Sequence, residues 1–332
     1  MTTAPTLDVL AIGNAVVDVI ADADDEFLAR EGLAPGSMRL IDADRALELY
    51  GRMGPGREIS GGAAANTLAG LARLGARTAF IGQVADDQLG QNYRHDLNAA
   101  GVKFDTPARK GEPPTGRVLI LVSPDGQRTM STLLGASLYL PTDAIDEEQV
   151  AGAGILFLEG YLWDPPEPRA AMRRAIEVAR ANGRRVALAT CADFCVHMHG
   201  RDFRALIDEG LIDILLANEE EAAILEGTDD PDAAVESLGR DVPLVVMTRA
   251  ERGAVAIRGT ERVEIAAEPV ERVVDTTGAG DLFAAGFLFG EVQGRSLKES
   301  LRIGAIAAAE VISHYGARPE QDLKRLVAEK LG

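Results

Sequence analysis

The chain has 332 residues, of which 46% are hydrophobic and 26% charged, and its formal net charge is -18. This acidity argues against nucleic acid as a partner, because phosphate backbones are bound by basic surfaces, and no apolar run reaches the ~18–20 residues that span a bilayer. Cys191 and Cys195 make no disulfide framework and residues 1–6 lack a signal-peptide pattern, so we expect a cytoplasmic α/β chain with no membrane partner.

Strands and helices are predicted to alternate through the first hundred residues. Strands are expected over 7–15, continuing extended to 21, and over 77–84, and helices over 42–50, 63–74 and 88–100. Asp42 is placed to cap the first of these helices, and Gly75 and Gly101 to end the other two. Such alternation predicts a parallel sheet with helices on both faces.

The segment 115–134 interrupts the alternation. Two extended runs, 118–122 and 129–134, flank Ser123-Pro124-Asp125-Gly126, and such a turn signal predicts a β-hairpin. Together with extended segments around 15–22 and 37–41, the hairpin is predicted to form a small second sheet. The alternative is an antiparallel edge of the main sheet.

After Pro141 the alternation resumes. Core strands are predicted over 155–158, 185–189, 212–217 and 244–248, with a helix over 168–181, a hairpin over 254–257 and 262–266, and helices over 279–291, 297–315 and 321–330.

The segment 275–281, Asp-Thr-Thr-Gly-Ala-Gly-Asp, leads directly into the apolar helix of this last group. The first N–H groups of a helix are unpaired, and the small residues Gly278, Ala279 and Gly280 let an anion reach them. A carboxylate there repels phosphate, so Asp281 is unsuited as a phosphate ligand. It suits a general base that takes a proton from a hydroxyl while the N–H groups stabilise a transferring phosphoryl group. The alternative is that Asp281 only caps the helix.

This heptapeptide resembles the C-terminal signature of the ribokinase-like (pfkB) family of carbohydrate and nucleoside kinases. Other family landmarks follow in order: the first strand with its substrate aspartate at 12–18, the di-glycine motif at 61–66, the N-x-x-E motif at 218–221 and the nucleotide turn at 248–253. The resemblance covers about residues 7–325. It implies a ribokinase-like three-layer sandwich with a mostly parallel central sheet. A small β-sheet lid would come from about 15–45 and 105–137, and the large α/β domain from the remainder.

The resemblance also implies roles for individual residues. Asp281 would be the base, with the backbone N–H groups of Gly278, Ala279 and Gly280 around the γ-phosphoryl of ATP. Arg128 would reach the transferring phosphate from the lid, as in the adenosine kinase branch of the family, although a solvated hairpin arginine is equally consistent with the sequence. The substrate hydroxyls would be bound by Asn14, Asp18, Gly61, Gly62 and Asn66.

Nucleotide and metal contacts follow in the same way. Asn218, Thr248, Gly253, Thr277, Gly278 and Gly280 would contact ATP. Asn218 and Glu221 would organise Mg²⁺ through its waters, whereas the residues alone favour a helix cap and a first-turn acid. Related enzymes also use a monovalent cation such as K⁺, near the residue that corresponds to Asp275.

The nucleotide turn departs from the family's T-x-G-x-x-G pattern, because Ala250 stands where the first glycine is common. If that position needs a positive φ, alanine there costs ~1 kcal/mol or more.

Several segments are more similar to adenosine kinases than to ribokinases or fructokinases, among them 114–116, 128–137 and 312–320. A purine pocket needs apolar or aromatic walls, for which Leu134, Ala136, Tyr161, Leu162 and Trp163 are candidates; the alternative for Trp163 is that it packs a loop. Adenosine kinases commonly have two phenylalanines where this chain has Tyr161-Leu162, so purine recognition stays open here.

We therefore expect an ATP- and Mg²⁺-dependent kinase of a nucleoside 5′-hydroxyl, adenosine first of all. A kinase of a free pentose or ketohexose and a catalytically inactive small-molecule binder are the alternatives. The sequence is compatible with a monomer or a homodimer.

Overall fold

The computed structural model describes residues 4–124 and 126–332. Its strands are β1 (Leu7–Ile12), β2 (Val16–Asp22), β3 (Met38–Leu40), β4 (Arg57–Gly61), β5 (Thr78–Ile81), β6 (Val102–Lys103), β7 (Gly116–Val122), β8 (Arg128–Leu133), β9 (Ala153–Glu159), β10 (Arg185–Ala189), β11 (Ile214–Asn218), β12 (Leu244–Thr248), β13 (Ala254–Arg258) and β14 (Glu261–Ile265). Its α-helices are α1 (Asp25–Arg30), α2 (Ala43–Arg52), α3 (Ala63–Leu74), α4 (Gln88–Ala99), α5 (Glu147–Gly152), α6 (Pro166–Ala181), α7 (Asp193–Asp208), α8 (Glu219–Glu226), α9 (Pro231–Asp241), α10 (Ala279–Val292), α11 (Leu297–Val311) and α12 (Leu323–Leu331).

The larger sheet has the strand order β14-β13-β12-β11-β10-β9-β1-β5-β6. Pairing is parallel from β12 to β6, and β13 and β14 add an antiparallel edge. Successive side chains of a strand point to opposite faces, and in β1 Val9 and Ala11 join one apolar core while Leu10 and Ile12 join the other. The predicted α/β sandwich with a mostly parallel sheet is thus confirmed.

The smaller sheet has the order β3-β8-β7-β2-β4. The predicted hairpin forms its centre as β7 and β8, and Asp125 of the predicted turn lies outside the described residues. Helix α2 packs on β7 and β8. Strand β4 was not predicted: its first residues, Arg57 and Glu58, are polar, so the segment lacks the apolar run that identifies a strand.

The chain passes between the two sheets at two short connections. Residues 13–15 join β1 to β2, and Gly62 joins β4 to α3. Both connections lie beside the carboxyl end of β1, which is the end where parallel sheets place ligand groups.

Helices α3 and α10 pack closely, because Gly70 leaves room for α10. A Cβ atom at position 70 would lie 2.7 Å from Leu282 Cδ1 and 2.8 Å from Ala285 Cβ. This contact brings the N-termini of both helices to the junction of the two sheets.

Some elements are shorter than predicted. The strand expected over 77–84 spans only Thr78–Ile81, and the helix expected over 297–315 ends at Val311. The residues after Val311 turn away because the Gly316 N–H donates to Asp275 Oδ2 at 2.9 Å. No helix of the described ranges is long and apolar enough to cross a membrane.

Ala250 has a φ of +47°, in a one-turn 3₁₀ helix, Ala250–Arg252, after β12. The sequence-based concern about this position is therefore confirmed: an alanine occupies left-handed backbone. Its Cβ atom makes that conformation costly for any residue but glycine.

We predict that Ala250→Gly raises the free energy of unfolding by about 0.5–1 kcal/mol, because relief of the left-handed strain exceeds the added entropy of the unfolded chain. Urea denaturation measures this. The matched control is Ala328→Gly on the exposed side of α12, which should destabilise by about 1 kcal/mol. Destabilisation by both substitutions would contradict the strain at Ala250.

Candidate active site

Two cavities meet at the start of α10. The sheet-end cavity, of about 340 Å³, is lined at the carboxyl ends of β9 to β12 by Glu159, Tyr161, Cys191, Asn218, Glu221 and Thr248, and by Gly278, Gly280 and Asp281. The inter-sheet cavity, of about 460 Å³, is lined by Asp18, Asn66, Arg128 and Arg318, among others. Thr277 lines both cavities. The segment 275–281 therefore lies between the two cavities, and its carboxylate Asp281 lines the sheet-end cavity.

Asp281 lies in the first turn of α10, and its Oδ2 accepts a hydrogen bond from Asn66 Nδ2 at 2.9 Å. Burial raises the pKa of Asp281 to about 6, although the Asn66 hydrogen bond and the Arg318 charge both lower it. A carboxylate with this pKa is mostly ionised at neutral pH and still basic enough to accept a proton.

Gly278 precedes α10 with a φ of +79°. A Cβ atom there would lie 2.7 Å from Ala317 Cβ and 2.9 Å from Ala317 Cα, so glycine is required on both conformational and steric grounds. Gly278, Gly280 and Asp281 line the sheet-end cavity, where a helix start can bind an anion. Ala279 lines neither cavity, and its N–H donates to Thr276 O at 3.2 Å.

Asp18 lies on β2 opposite Ile59 of β4. Its carboxyl sits against the backbone of Gly61, where a Cβ atom would come within 2.5 Å. The pKa of Asp18 is raised to about 7, mainly by burial and to a smaller extent by the Asp281 charge, although the positive charges of Arg318 and Arg128 lower it. Asp18 and Asn66 thus present a carboxyl and an amide to the inter-sheet cavity.

Glu159, at the end of β9, was missed by the sequence reasoning. It is fully buried, and it accepts hydrogen bonds from Ala64 N at 2.8 Å, Asn14 N at 3.2 Å and Asn14 Nδ2 at 2.8 Å. Burial raises its pKa to about 7 in spite of these bonds. A carboxylate at the carboxyl end of an apolar parallel strand was the available signal.

Asn14 and Gly62 are placed by this network. The Asn14 amide is shared between Glu159 and Ser137, whose Oγ donates to Asn14 Oδ1 at 2.9 Å. Gly62 is the residue before α3. Both predicted substrate residues therefore lie at the sheet junction, and the Asn14 side chain is bound by protein partners.

Arg128 extends from β8 to the segment 275–281. Its partner is Asp275, with Nη2 2.5 Å from Oδ2, and its Nη1 donates to Thr277 Oγ1 at 3.3 Å. Asp275 also accepts from Thr277 N at 3.0 Å and Gly316 N at 2.9 Å. A carboxylate that already holds a guanidinium and two N–H groups does not fit the predicted role of a K⁺ ligand.

Asn218 and Glu221 form a reciprocal cap at the start of α8. Glu221 accepts from Asn218 N at 3.0 Å, Asn218 Nδ2 at 2.8 Å and Thr190 Oγ1 at 2.5 Å, and burial raises its pKa. With both oxygens engaged, the pair fits the binding of a metal's water shell better than direct coordination. Within the described residues, no group of three or more His, Cys, Asp and Glu is placed to hold a metal.

Thr248 ends β12 in the sheet-end cavity, whereas Gly253, with a φ of +98°, follows the strained turn and does not line it. Leu134 and Ala136 line neither cavity, and Ala136 is fully buried. The apolar wall predicted for a purine is therefore only partly present.

Trp163 requires a correction. It is fully buried, its Nε1 donates to Asp202 Oδ2 at 2.9 Å, and its ring packs edge-on to Phe203 at 5.9 Å between centroids. It packs a loop onto α7 and does not face a cavity, so its prediction as a pocket wall is wrong.

Tyr161 and Phe194 form the aromatic pair at the site. Their ring centroids are 5.8 Å apart and their planes differ by 35°. The Tyr161 hydroxyl donates to Cys191 O at 3.1 Å, and the two residues are 37% and 43% exposed. Phe194, in the first turn of α7, was also missed, because its distance along the chain from Tyr161 gives no sign of contact.

Comparisons with known proteins agree with this geometry. The pfkB family of carbohydrate kinases matches residues 36–323. A crystal structure of adenosine kinase from Sinorhizobium meliloti is 49% identical, covers 98% of this chain and 99% of its own, and superposes with a TM-score of 0.90. A probable sugar kinase from Rhizobium etli is 42% identical with the same coverage and a TM-score of 0.91. An uncharacterised sugar kinase of Archaeoglobus fulgidus is 30% identical over 75% of this chain and 96% of its own length.

The fold and the site define a phosphotransferase that acts on an alcohol group. The chain belongs to the pfkB family of carbohydrate kinases, whose members phosphorylate hydroxyl groups of nucleosides or sugars and use ATP with a divalent metal.

Glu159 makes the stability of the folded chain depend on pH. Its pKa is raised from 4.5 to about 7, so the folded state binds this proton more tightly than the unfolded state, and stability falls as the pH rises from about 4.5 to 7. We predict that the melting temperature of Glu159→Gln falls less than that of the wild type as the pH rises through this window. Thermal unfolding at several pH values measures it, with the exposed Glu177→Gln as control. Parallel curves for wild type and Glu159→Gln would show that Glu159 titrates normally.

Proposed function

We propose that the chain transfers the γ-phosphoryl group of ATP to the 5′-hydroxyl of a nucleoside, adenosine first of all, giving AMP and ADP. The observation that carries this proposal is the Asp281 carboxylate, half-buried in the first turn of α10 and held by Asn66 at 2.9 Å. It combines a base with a helix N-terminus that stabilises anionic charge, which is what transfer to a hydroxyl needs.

The reaction divides among residues already placed. The hydroxyl proton passes to the Asp281 carboxylate as the hydroxyl oxygen bonds to the γ-phosphorus, and the bond from that phosphorus to the bridging oxygen of ADP breaks. The N–H groups beyond Gly278 stabilise the charge on the phosphoryl oxygens. Asp18 and Asn66 accept and donate hydrogen bonds to hold the substrate hydroxyls.

Magnesium and Arg128 would supply positive charge to the phosphates of ATP. Asn218 and Glu221 would hold Mg²⁺ through its waters, and the metal supplies positive charge to the phosphates when bound. Arg128 lies within reach of Thr277 and carries a fixed charge suited to phosphate. We propose that the smaller sheet acts as a lid that excludes water from the site when it closes. Arg128 would link the closed lid to the segment 275–281.

Two observations favour a nucleoside. Tyr161 lines the sheet-end cavity and pairs with Phe194, and both rings are partly exposed. Stacking on such faces suits a purine better than a free sugar. The similar S. meliloti protein is an adenosine kinase. The second candidate is a sugar kinase, which the R. etli likeness favours. An inactive binding protein is disfavoured by the intact Asp281 and Gly278 geometry.

We predict that Asp281→Asn lowers kcat for adenosine by ~10²–10⁴, because the amide cannot accept the hydroxyl proton, while KM for ATP changes little. A coupled ADP-release assay with Mg²⁺ measures both, against adenosine, inosine, guanosine, ribose and fructose. The control is Asp44→Asn, an exposed acid in the first turn of α2. Undiminished turnover in Asp281→Asn would overturn the base assignment, and turnover confined to a free sugar would overturn the substrate.

We predict that Phe194→Ala raises KM for adenosine by about 10-fold, since stacking of a base on an aromatic ring contributes ~1–3 kcal/mol, and leaves KM for ATP unchanged. Steady-state kinetics measures both constants. Met198→Ala is the matched control, because Met198 is 58% exposed on the same helix. An unchanged KM for adenosine would exclude Phe194 from the base site.

A further inference from the structure

Arg318 is a charged side chain that neither the motifs nor the proposed reaction uses. It lies in the loop between α11 and α12, and its guanidinium donates from Nη1 to Ala65 O at 2.8 Å and from Nη2 to Ser60 O at 2.6 Å and Ser60 Oγ at 3.0 Å. It also lines the inter-sheet cavity with Asp18 and Asn66. A distant loop thus places one fixed positive charge beside the substrate residues.

The three hydrogen bonds span the di-glycine turn. Ser60 precedes Gly61 and Gly62, and Ala65 follows them in the first turn of α3. Ser60 is fixed on its other side by Asp96 of α4, which accepts from Ser60 N at 2.8 Å and Ser60 Oγ at 2.5 Å. A planar guanidinium can hold two carbonyl groups at once, which a lysine ammonium on a flexible stem does less well.

Asn66 follows Ala65 directly, and its amide donates to Asp281. The position of Asn66, and with it the orientation of the Asp281 carboxylate, therefore depends on where the turn is held. Misplacement of reacting groups by about 1 Å can cost ~10² in rate.

The charge of Arg318 acts on the same two carboxylates. It lowers the pKa of Asp18 more than the charge of Arg128 does. It also lowers the pKa of Asp281, although less than the Asn66 hydrogen bond does.

The other titratable groups near Asp18, Asp281 and Arg318 come from several elements. Asp96 and Tyr93 of α4 face Arg318 itself, and Asp281 acts on Asp18 and on Glu159. Of these neighbours, Arg318 is the group whose positive charge reaches both Asp18 and Asp281.

We propose that Arg318 is a positioning residue for phosphoryl transfer: its guanidinium holds the di-glycine turn and places a positive charge beside Asp18 and Asp281. The two parts of this role are separable, because glutamine removes the charge and lysine keeps it while losing the planar fork. The kinetic test of this inference rests on the proposed function, whereas the spectroscopic test requires only the carboxyl groups of Asp18 and Asp281.

The kinetic test is the pH profile of kcat/KM. Arg318→Gln is expected to move the acidic limb to higher pH by about one unit, because an opposite charge nearby shifts a carboxyl pKa by ~1–3 units. Arg318→Lys is expected to keep the limb and to raise KM for the nucleoside about 10-fold. Arg325→Gln, on the exposed face of α12, is the matched loss of one positive charge. A merely structural role would lower activity equally at every pH and leave the limb in place.

The second readout does not need turnover. A ¹³C-carboxyl NMR titration, with Asp18 and Asp281 assigned through Asp18→Asn and Asp281→Asn, should show both pKa values higher in Arg318→Gln than in the wild type. Unchanged titrations would overturn the proposal. If Arg318→Gln does not fold, Arg318→Lys decides it: an unchanged KM or a displaced limb contradicts the role. Wild-type protein without turnover on any nucleoside or sugar contradicts the proposed function instead, and the titration still tests Arg318.

Discussion

The site depends on three carboxyl groups at the junction of two sheets: that of Glu159 is buried, and those of Asp18 and Asp281 are half-buried. Burial of a charge is costly unless hydrogen bonds or opposite charges offset it. Here each group has such partners from a different element: Asn14 and Ala64 for Glu159, Asn66 for Asp281, and arginines for Asp18. The carboxyl groups lie on β2, β9 and α10, and Ala64 and Asn66 lie on α3. The contacts that hold the site therefore also hold these elements together.

Helix packing makes this arrangement possible. Gly70 lets α3 and α10 approach until side-chain atoms of α10 would leave no space for a methyl group, and the two N-termini then converge on the carboxylates. Burial raises the pKa values of Asp18 and Glu159 to about 7 and that of Asp281 to about 6, while hydrogen bonds and arginine charges lower them. Carboxyl groups balanced near neutral pH are suited to proton transfer.

Features encoded by neighbouring residues were predictable from the sequence. The apolar strands, the Asp42 cap and the hairpin in the smaller sheet follow from local patterns, and Asp281 was a candidate base from its place at a helix start. The roles of Asp18 and Asn66 and the departure at Ala250 were implied by the family resemblance. Features that depend on distant contacts were missed: the polar strand β4, Glu159, Phe194 and Arg318. Trp163 was misassigned because a sequence does not show to which side of a loop an aromatic ring turns.

The most direct test of the account is a competition experiment. Wild-type protein is incubated with γ-³²P-labelled ATP, Mg²⁺ and equal concentrations of adenosine and ribose, and the labelled products are separated. If the chain phosphorylates adenosine, the label is recovered in AMP. Recovery in a sugar phosphate would contradict the nucleoside assignment, and recovery only in ATP or inorganic phosphate would contradict transfer to either hydroxyl.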